Sequence, residues 1–268
     1  LATMADLIRS QHRLGGQGLQ RARGAPRPRR VSSSRSRFIV KNPRFPPLEA
    51  SAADPMPRAI YLVGRERLDI SGAVISELEA LNPGWRVEAF GDMECRQYLE
   101  EYWFTEHMEL FKSIPDDDAR TAFWAACMMY THGGCYLHAS VVLKKPLEEF
   151  IQAGTDVCTL GSIALSAPRY NPVLIAARPR TKLMARTVGR LLAAAGTPFN
   201  HSGWLMASAL MAAAVQEAER PLPSNQSGTY TTKLGERLQV LEEAERSSDR
   251  YPRKARWKGK RVLLLRAN

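Results

Sequence analysis

No stretch of this chain approaches the roughly 18 consecutive apolar residues that a membrane-spanning helix needs, so no such helix is expected. Cysteine is scarce. Cys95, Cys127, Cys135 and Cys158 are far apart and lack metal-ligand spacing, which predicts reduced thiols buried in a core. Nothing in that pattern demands an oxidising compartment. Acidic residues are missing from positions 7–47, and every Lys/Arg position between 9 and 37 is arginine. A Gly-x-Ser-x-Gly elbow is missing too, so His201-Ser202 does not read as a nucleophilic pair. The glycines at 15, 16 and 18 follow no strand and make no phosphate loop. There is no internal repeat and no RNA-binding module signature.

What is present is 268 residues, 44% of them hydrophobic, enough for one large α/β domain or two small ones. The net charge of +11 is unevenly placed. Residues 1–50 are net +9, residues 250–268 are net +8, and the body between them is net −6. Uneven charge of this kind speaks of partners rather than of fold. The Arg-rich, Ser-rich, acid-free run over 7–47 has the composition of an organelle transit peptide, and a first residue of Leu rather than Met leads us to expect processing or truncation. Three segments follow: a basic Arg/Pro/Ser-rich extension over 1–56, a folded domain over 57–249, and a basic tail over 250–268 carrying the apolar patch Val262–Leu265.

Within the domain, Arg58–Val63 suits a buried strand and Ile70–Leu81 has helical spacing. Asn82-Pro83-Gly84 is a turn, and Trp85–Phe90 alternates as a strand. Asp92 is a candidate N-cap for a helix through Leu99, with 103–113 continuing as helix. Pro115 and Asp116-Asp117-Asp118 suit the start of a helix over 119–131, since acids there meet unsatisfied amides and the positive dipole end. That helix ends at Gly133-Gly134, a strand runs through Tyr136–Leu143, and Pro146 restarts a helix. Beyond it, 157–161 and 163–166 read as short strands, 179–195 and 203–218 as helices, 221–235 as loop, and 238–246 as a short helix or strand. The order is the βαβ rhythm of a mostly parallel sheet.

The stretch Gly133-Gly134-Cys135-Tyr136-Leu137-His138-Ala139-Ser140, with Lys145-Pro146-Leu147 after it, resembles the metal-site segment of the DXD-sugar glycosyltransferases. That GT-A-fold family includes the outer-chain mannosyltransferases, and its pattern here is Gly-Gly-x-Tyr-x-Asp-x-Asp. Pro57-Arg58-Ala59-Ile60-Tyr61 is similar to the family's opening strand, Asn82-Pro83-Gly84-Trp85 to its turn, and Phe90-Gly91-Asp92 to its Trp-x-Asp. Asn171 is loosely similar to a later Asn. The likeness spans roughly residues 57–215 and implies a GT-A-like nucleotide-sugar domain.

The departures fall on the chemistry. The family's two metal-site aspartates are His138 and Ser140 here, and its Lys/Arg-Ala-Asp-x-x-Arg-Tyr helix places Ala122 and Ala125 where its Asp and Arg hold the donor sugar. Mg²⁺ and Mn²⁺ prefer carboxylate oxygens, and a neutral nitrogen with a hydroxyl is a poor substitute. His138 could instead join His132 or Cys135 around a softer metal, although a hydrogen-bonded histidine is the plainer reading. We therefore expect no catalytic residue, no metal and no cofactor. The expected role is a structural or accessory subunit of a large mitochondrial assembly on the matrix side, a mitochondrial ribosome first and a respiratory complex next. Its partners would be protein subunits and, through basic residues, ribosomal RNA. Candidate RNA or acidic-partner contacts are Arg21, Arg23, Arg27, Arg29, Arg30, Arg35, Arg37, Arg253, Lys254 and Arg256. The competing expectation is an active, metal-independent or displaced-metal glycosyltransferase of the secretory pathway.

Overall fold

The first strand, β1 (Ala59–Val63), is buried along its whole length, and its side chains divide by the two-residue period of a strand. Ala59, Tyr61 and Val63 enter one apolar cluster, while Ile60 and Leu62 enter another on the opposite face. A short run that is apolar at every position thus marks the centre of a sheet covered on both sides. The computed structural model describes residues 55–64, 70–162, 169–194, parts of 209–217, 227–246, 252–257 and 260–265. The expected extension over 1–56 and residues 163–166 lie wholly or almost wholly outside them, as does His201-Ser202.

Helix α1 (Gly72–Leu81) is capped by Ser71 and ends at Asn82. The turn after it places Gly84 at φ +81°, and β2 (Arg86–Phe90) follows, parallel to β1. Helices α2 (Asp92–Tyr102) and α3 (Thr105–Ser113) are separate, because the chain becomes extended at Trp103 and Phe104. Asp92 is not the cap of α2. Gly91 holds that position, and its N–H donates to the Glu94 carboxylate at 3.0 Å, which frees Asp92 for other contacts. Helix α4 (Asp117–Thr131) is capped as expected, with Asp116 Oδ1 accepting from the Ala119 N–H at 2.8 Å.

Gly133 (φ +69°) and Gly134 (φ +95°) then turn the chain into β3 (Gly134–His138), parallel to β1 on its other side. A side chain at Gly134 would lie 2.8 Å from the Ala59 carbonyl oxygen, so only glycine fits between helix and strand. The strand expected over Tyr136–Leu143 is two strands. A turn at Ala139-Ser140 breaks it, and β4 (Val141–Leu143) joins a different sheet. Helix α5 (Leu147–Phe150) starts after Pro146. Its Leu147 N–H donates to the buried Asn82 Oδ1 at 2.8 Å, fastening it to the turn after α1.

Strands β5 (Val157–Ser162) and β6 (Arg169–Ala177) pair antiparallel, and β6 also pairs antiparallel with β3. After α6 (Lys182–Ala194) and the helical residues among 209–217, β7 (Gly228–Thr231) occupies part of the expected loop. The long strand β8 (Arg237–Arg246) lies parallel to β5 through its first half. The central sheet has the order β2-β1-β3-β6-β5-β8, with β7 on β8. Strands β1, β2, β3, β5 and β8 point one way, and β6 and β7 oppose them. This is an α/β fold with a mostly parallel central sheet, as expected.

The segment expected as a basic tail is structured over most of its length. β9 (Pro252–Trp257) pairs with the second half of β8, β10 (Lys260–Leu265) pairs with β9, and β4 closes this small antiparallel sheet. The apolar patch explains why: Val262 and Leu263 are buried in the cluster that also holds Val141 and Leu143. Helices α2, α3, α4 and α6 contribute to the cluster on one face of the central sheet; α1, α5 and the small sheet contribute to the other. Gln239 ties β8 to the chain after α5. It accepts from the Gln152 N–H at 2.9 Å and the Thr155 hydroxyl at 3.0 Å, and donates to the Phe150 carbonyl.

Candidate functional site

The chain passes from β1 outward to β2, then returns across β1 to form β3. A crevice opens outside the carboxyl ends of strands at such a reversal, where α/β folds place ligands. Here a cleft of about 280 Å³ lies against Val63 and Gly64 at the end of β1 and His138 and Ala139 at the end of β3. Asp92 from the first turn of α2, and Asp117, Asp118, Arg120 and Thr121 from the first turns of α4, supply the rest of its polar wall.

Arg120 organises that wall. Its Nε lies 3.3 Å from Asp92 Oδ1, its Nη2 donates to Asp117 Oδ1, and its Nη1 donates to the Ile114 carbonyl at 3.0 Å. Asp92 is also held by Arg96 at 2.7 Å. Two helix N-termini therefore face the cleft with their positive ends already met by their own carboxylates, and two of those carboxylates are committed to arginine.

His138 and Ser140 are turned toward each other. The Ser140 N–H points at His138 Nδ1 at 3.2 Å, and the Ser140 hydroxyl lies 2.7 Å from the same nitrogen. A backbone N–H can only donate, so Nδ1 holds the lone pair and, in the neutral ring, Nε2 carries the proton. Nε2 faces Asp118 Oδ1 at 3.8 Å. The pair is half-buried at the rim, with its hydrogen-bonding capacity spent locally.

A divalent cation does not fit these residues. Hard cations need several oxygen ligands converging on one point, but His138 Nδ1 is engaged and Asp92 and Asp117 face Arg120. Among the described residues no group of three or more His, Cys, Asp or Glu side chains could hold a metal ion. The softer-metal alternative fares no better. Cys135 is wholly buried in the cluster on the far face of the sheet, and His132 Nδ1 lies 3.2 Å from the Tyr98 hydroxyl.

Of the four positions singled out in the sequence, His138 lines the cleft and Ser140 is bonded to it. Ala122 and Ala125 are packed in the apolar cluster beside Phe123 and Trp124, and neither lines the cleft. Sequence reasoning missed Asp92 and Arg120 as wall residues, and assigned Asp117 and Asp118 to capping alone. Helical spacing was the available signal, since 117, 118 and 121 share one face of α4 with the Ala122 and Ala125 positions. All four cysteines are free and buried, and burial pushes their thiols up from the ordinary range. Arg21, Arg23, Arg27, Arg29, Arg30, Arg35 and Arg37 lie outside the described residues. Arg253, Lys254 and Arg256 are on β9, and the Arg256 side chain is exposed.

No family model matches the chain, and no curated protein sequence matches it. Among solved structures it is similar to the PaToxG glycosyltransferase, with a TM-score of 0.47 and 11% identity over 61% of this chain and 70% of that one. No helix among the described residues is long and apolar enough to cross a membrane.

Proposed function

We propose that this chain is a glycosyltransferase-like protein without sugar-transfer activity that serves as a structural, accessory subunit of a large mitochondrial assembly, a ribosome first and a respiratory complex second. The observation that carries the loss of transfer is the bond between His138 and Ser140. At the two positions where the resembled family holds its metal with carboxylates, these side chains satisfy each other. The departing diphosphate of a nucleotide sugar would have no metal cation to neutralise it, and the one cation among the described wall residues, Arg120, is already taken by Asp92 and Asp117. Support for the mitochondrial setting is the acid-free, Arg-rich run over 7–47, whose composition is that of a transit peptide. A basic chain of this kind suits the phosphate backbone of RNA or an acidic protein surface.

Two measurements test this. Calorimetry with UDP- and GDP-sugars plus Mn²⁺ should show no heat of binding, and micromolar affinity would restore the transferase reading. Size fractionation of a mitochondrial lysate should place the chain in a megadalton peak. Migration at its own 29.9 kDa would end the assembly reading. Nuclease treatment of that peak separates a ribosome, which collapses, from a respiratory complex, which does not.

A further inference from the structure

The small antiparallel sheet places three cations from distant parts of the sequence in one row. Register puts Arg261 of β10 directly opposite Arg256 of β9. On the other side of β10, Lys144 follows the last residue of β4, and its N–H donates to the Val262 carbonyl at 2.8 Å. Leu143 and Val262, the chain neighbours of Lys144 and Arg261, are buried in the core, so alternation turns Lys144 and Arg261 to the outer face. Register places Arg256 there with Arg261, and a bulge between Arg261 and Leu263 accounts for the burial of both Val262 and Leu263. All three side chains are exposed, and Lys260 is exposed at the hairpin end. None of the four makes an ion pair with a described carboxylate. Their neighbour Lys145 differs, being paired with Glu149 at 3.2 Å.

Like charges directly opposite across a sheet destabilise it. Adjacent strands are about 4.8 Å apart, so the row concentrates positive charge on this surface, with Glu242 of β8 opposite Arg256 at its edge and Glu245 opposite Lys254. An arrangement that costs stability in the free chain is relieved by a polyanion laid along it. We propose that this row, Lys144–Arg261–Arg256, is a binding surface for the phosphate backbone of single-stranded or looped RNA. RNA fits better than an acidic protein because it offers a charge at every nucleotide, whereas a protein partner would need acids clustered at this spacing. Guanidinium forks also take phosphate oxygens two at a time. The inference rests on the assembly reading only for its choice of partner, and it assigns contact to a folded sheet rather than to the Arg-rich opening.

The test is the salt dependence of binding to a fluorescein-labelled oligouridylate of about 20 nucleotides, using the full chain. Each phosphate contact to a single strand contributes about 0.7 to the slope of log K against log salt. The triple variant Lys144→Ala/Arg256→Ala/Arg261→Ala should lower the slope by about 2 and weaken binding at least tenfold, while its thermal midpoint stays level or rises. Arg261→Lys should keep the slope, which guards against a loss caused by misfolding. An unchanged slope in the triple variant, or no RNA binding by the parent chain, overturns the proposal. Loss of polyglutamate binding with RNA binding intact overturns it in favour of an acidic protein. A chain that migrates alone in lysate but shows the slope change would refute the assembly reading and leave this one standing.

Discussion

Replacing both rim residues, His138→Asp with Ser140→Asp, places two carboxylates at the rim beside the end of β3 and tests the reasoning that the rim as it stands holds no divalent cation. The double variant gives up the bond between the two side chains, a loss of about 1 kcal/mol. It also brings new negative charge beside Asp118, whose carboxylate lies 3.8 Å from the His138 ring. Two like charges at about 4 Å repel by about 4 kcal/mol at an effective dielectric of 20, and by about 1 kcal/mol in water. The rim is half-buried, so about 2 kcal/mol is a fair middle value, and the metal-free variant should be about 3 kcal/mol less stable than the parent. Mn²⁺ at a hundred times its dissociation constant returns about 2.7 kcal/mol, nearly the whole loss. The assay is urea unfolding with EDTA and with Mn²⁺. The parent midpoint should be indifferent to Mn²⁺, and the variant midpoint should move back toward the parent's. A parent stabilised by Mn²⁺, or a variant that Mn²⁺ leaves unmoved, would refute the argument.

Three further outcomes are expected. Gly134→Ala should cost about 2–5 kcal/mol in urea unfolding, because the added methyl meets the Ala59 carbonyl and the Tyr61 ring at a φ that L-residues avoid. Ellman's reagent should find none of the four thiols in the native chain and all four after denaturation; fast native reaction would contradict their burial. Burial, its largest cause, holds the His132 pKa below the usual 6.5. As pH falls through that window the unfolded chain therefore takes up the proton first. Stability from this group is complete above about 6.5 and is lost on going down to the folded value; His132→Phe should flatten the profile there, and identical profiles would argue against it.

The sequence pattern disclosed β1, α1, the turn at Gly84, the capped start of α4 and the double-glycine entry to β3, because each rests on local chemistry. What it concealed depended on distant partners. The strand through Tyr136–Leu143 looked continuous because Leu137, Val141 and Leu143 are all apolar, and only β10, more than a hundred residues later, draws β4 into another sheet. Strand β6 contains Pro172, which reads as a break, yet Val173–Ala177 is buried throughout. The C-terminal segment was hidden by its charge, since the exposed Arg256, Lys260 and Arg261 share these strands with the buried Val262 and Leu263. At the site, the Gly-Gly anchor fixed His138 and Ser140, whereas the Ala122 and Ala125 positions proved to be core. Arg120 joins α2 to α4 through tertiary contacts that no spacing rule marks.

The dependence of β4 on β10 sets an order for synthesis. Strands β1, β2 and β3 come from adjacent stretches and can associate while the nascent chain is still growing. Strand β4, just after the rim residues His138 and Ser140, must wait, since it has no neighbour among the described strands until β10, more than a hundred residues later, has been made. A stalled or shortened translation product would hold most of a sheet with an open, hydrophobic border beside the cleft. Quality control should act on such products before it acts on chains altered anywhere in the cleft itself.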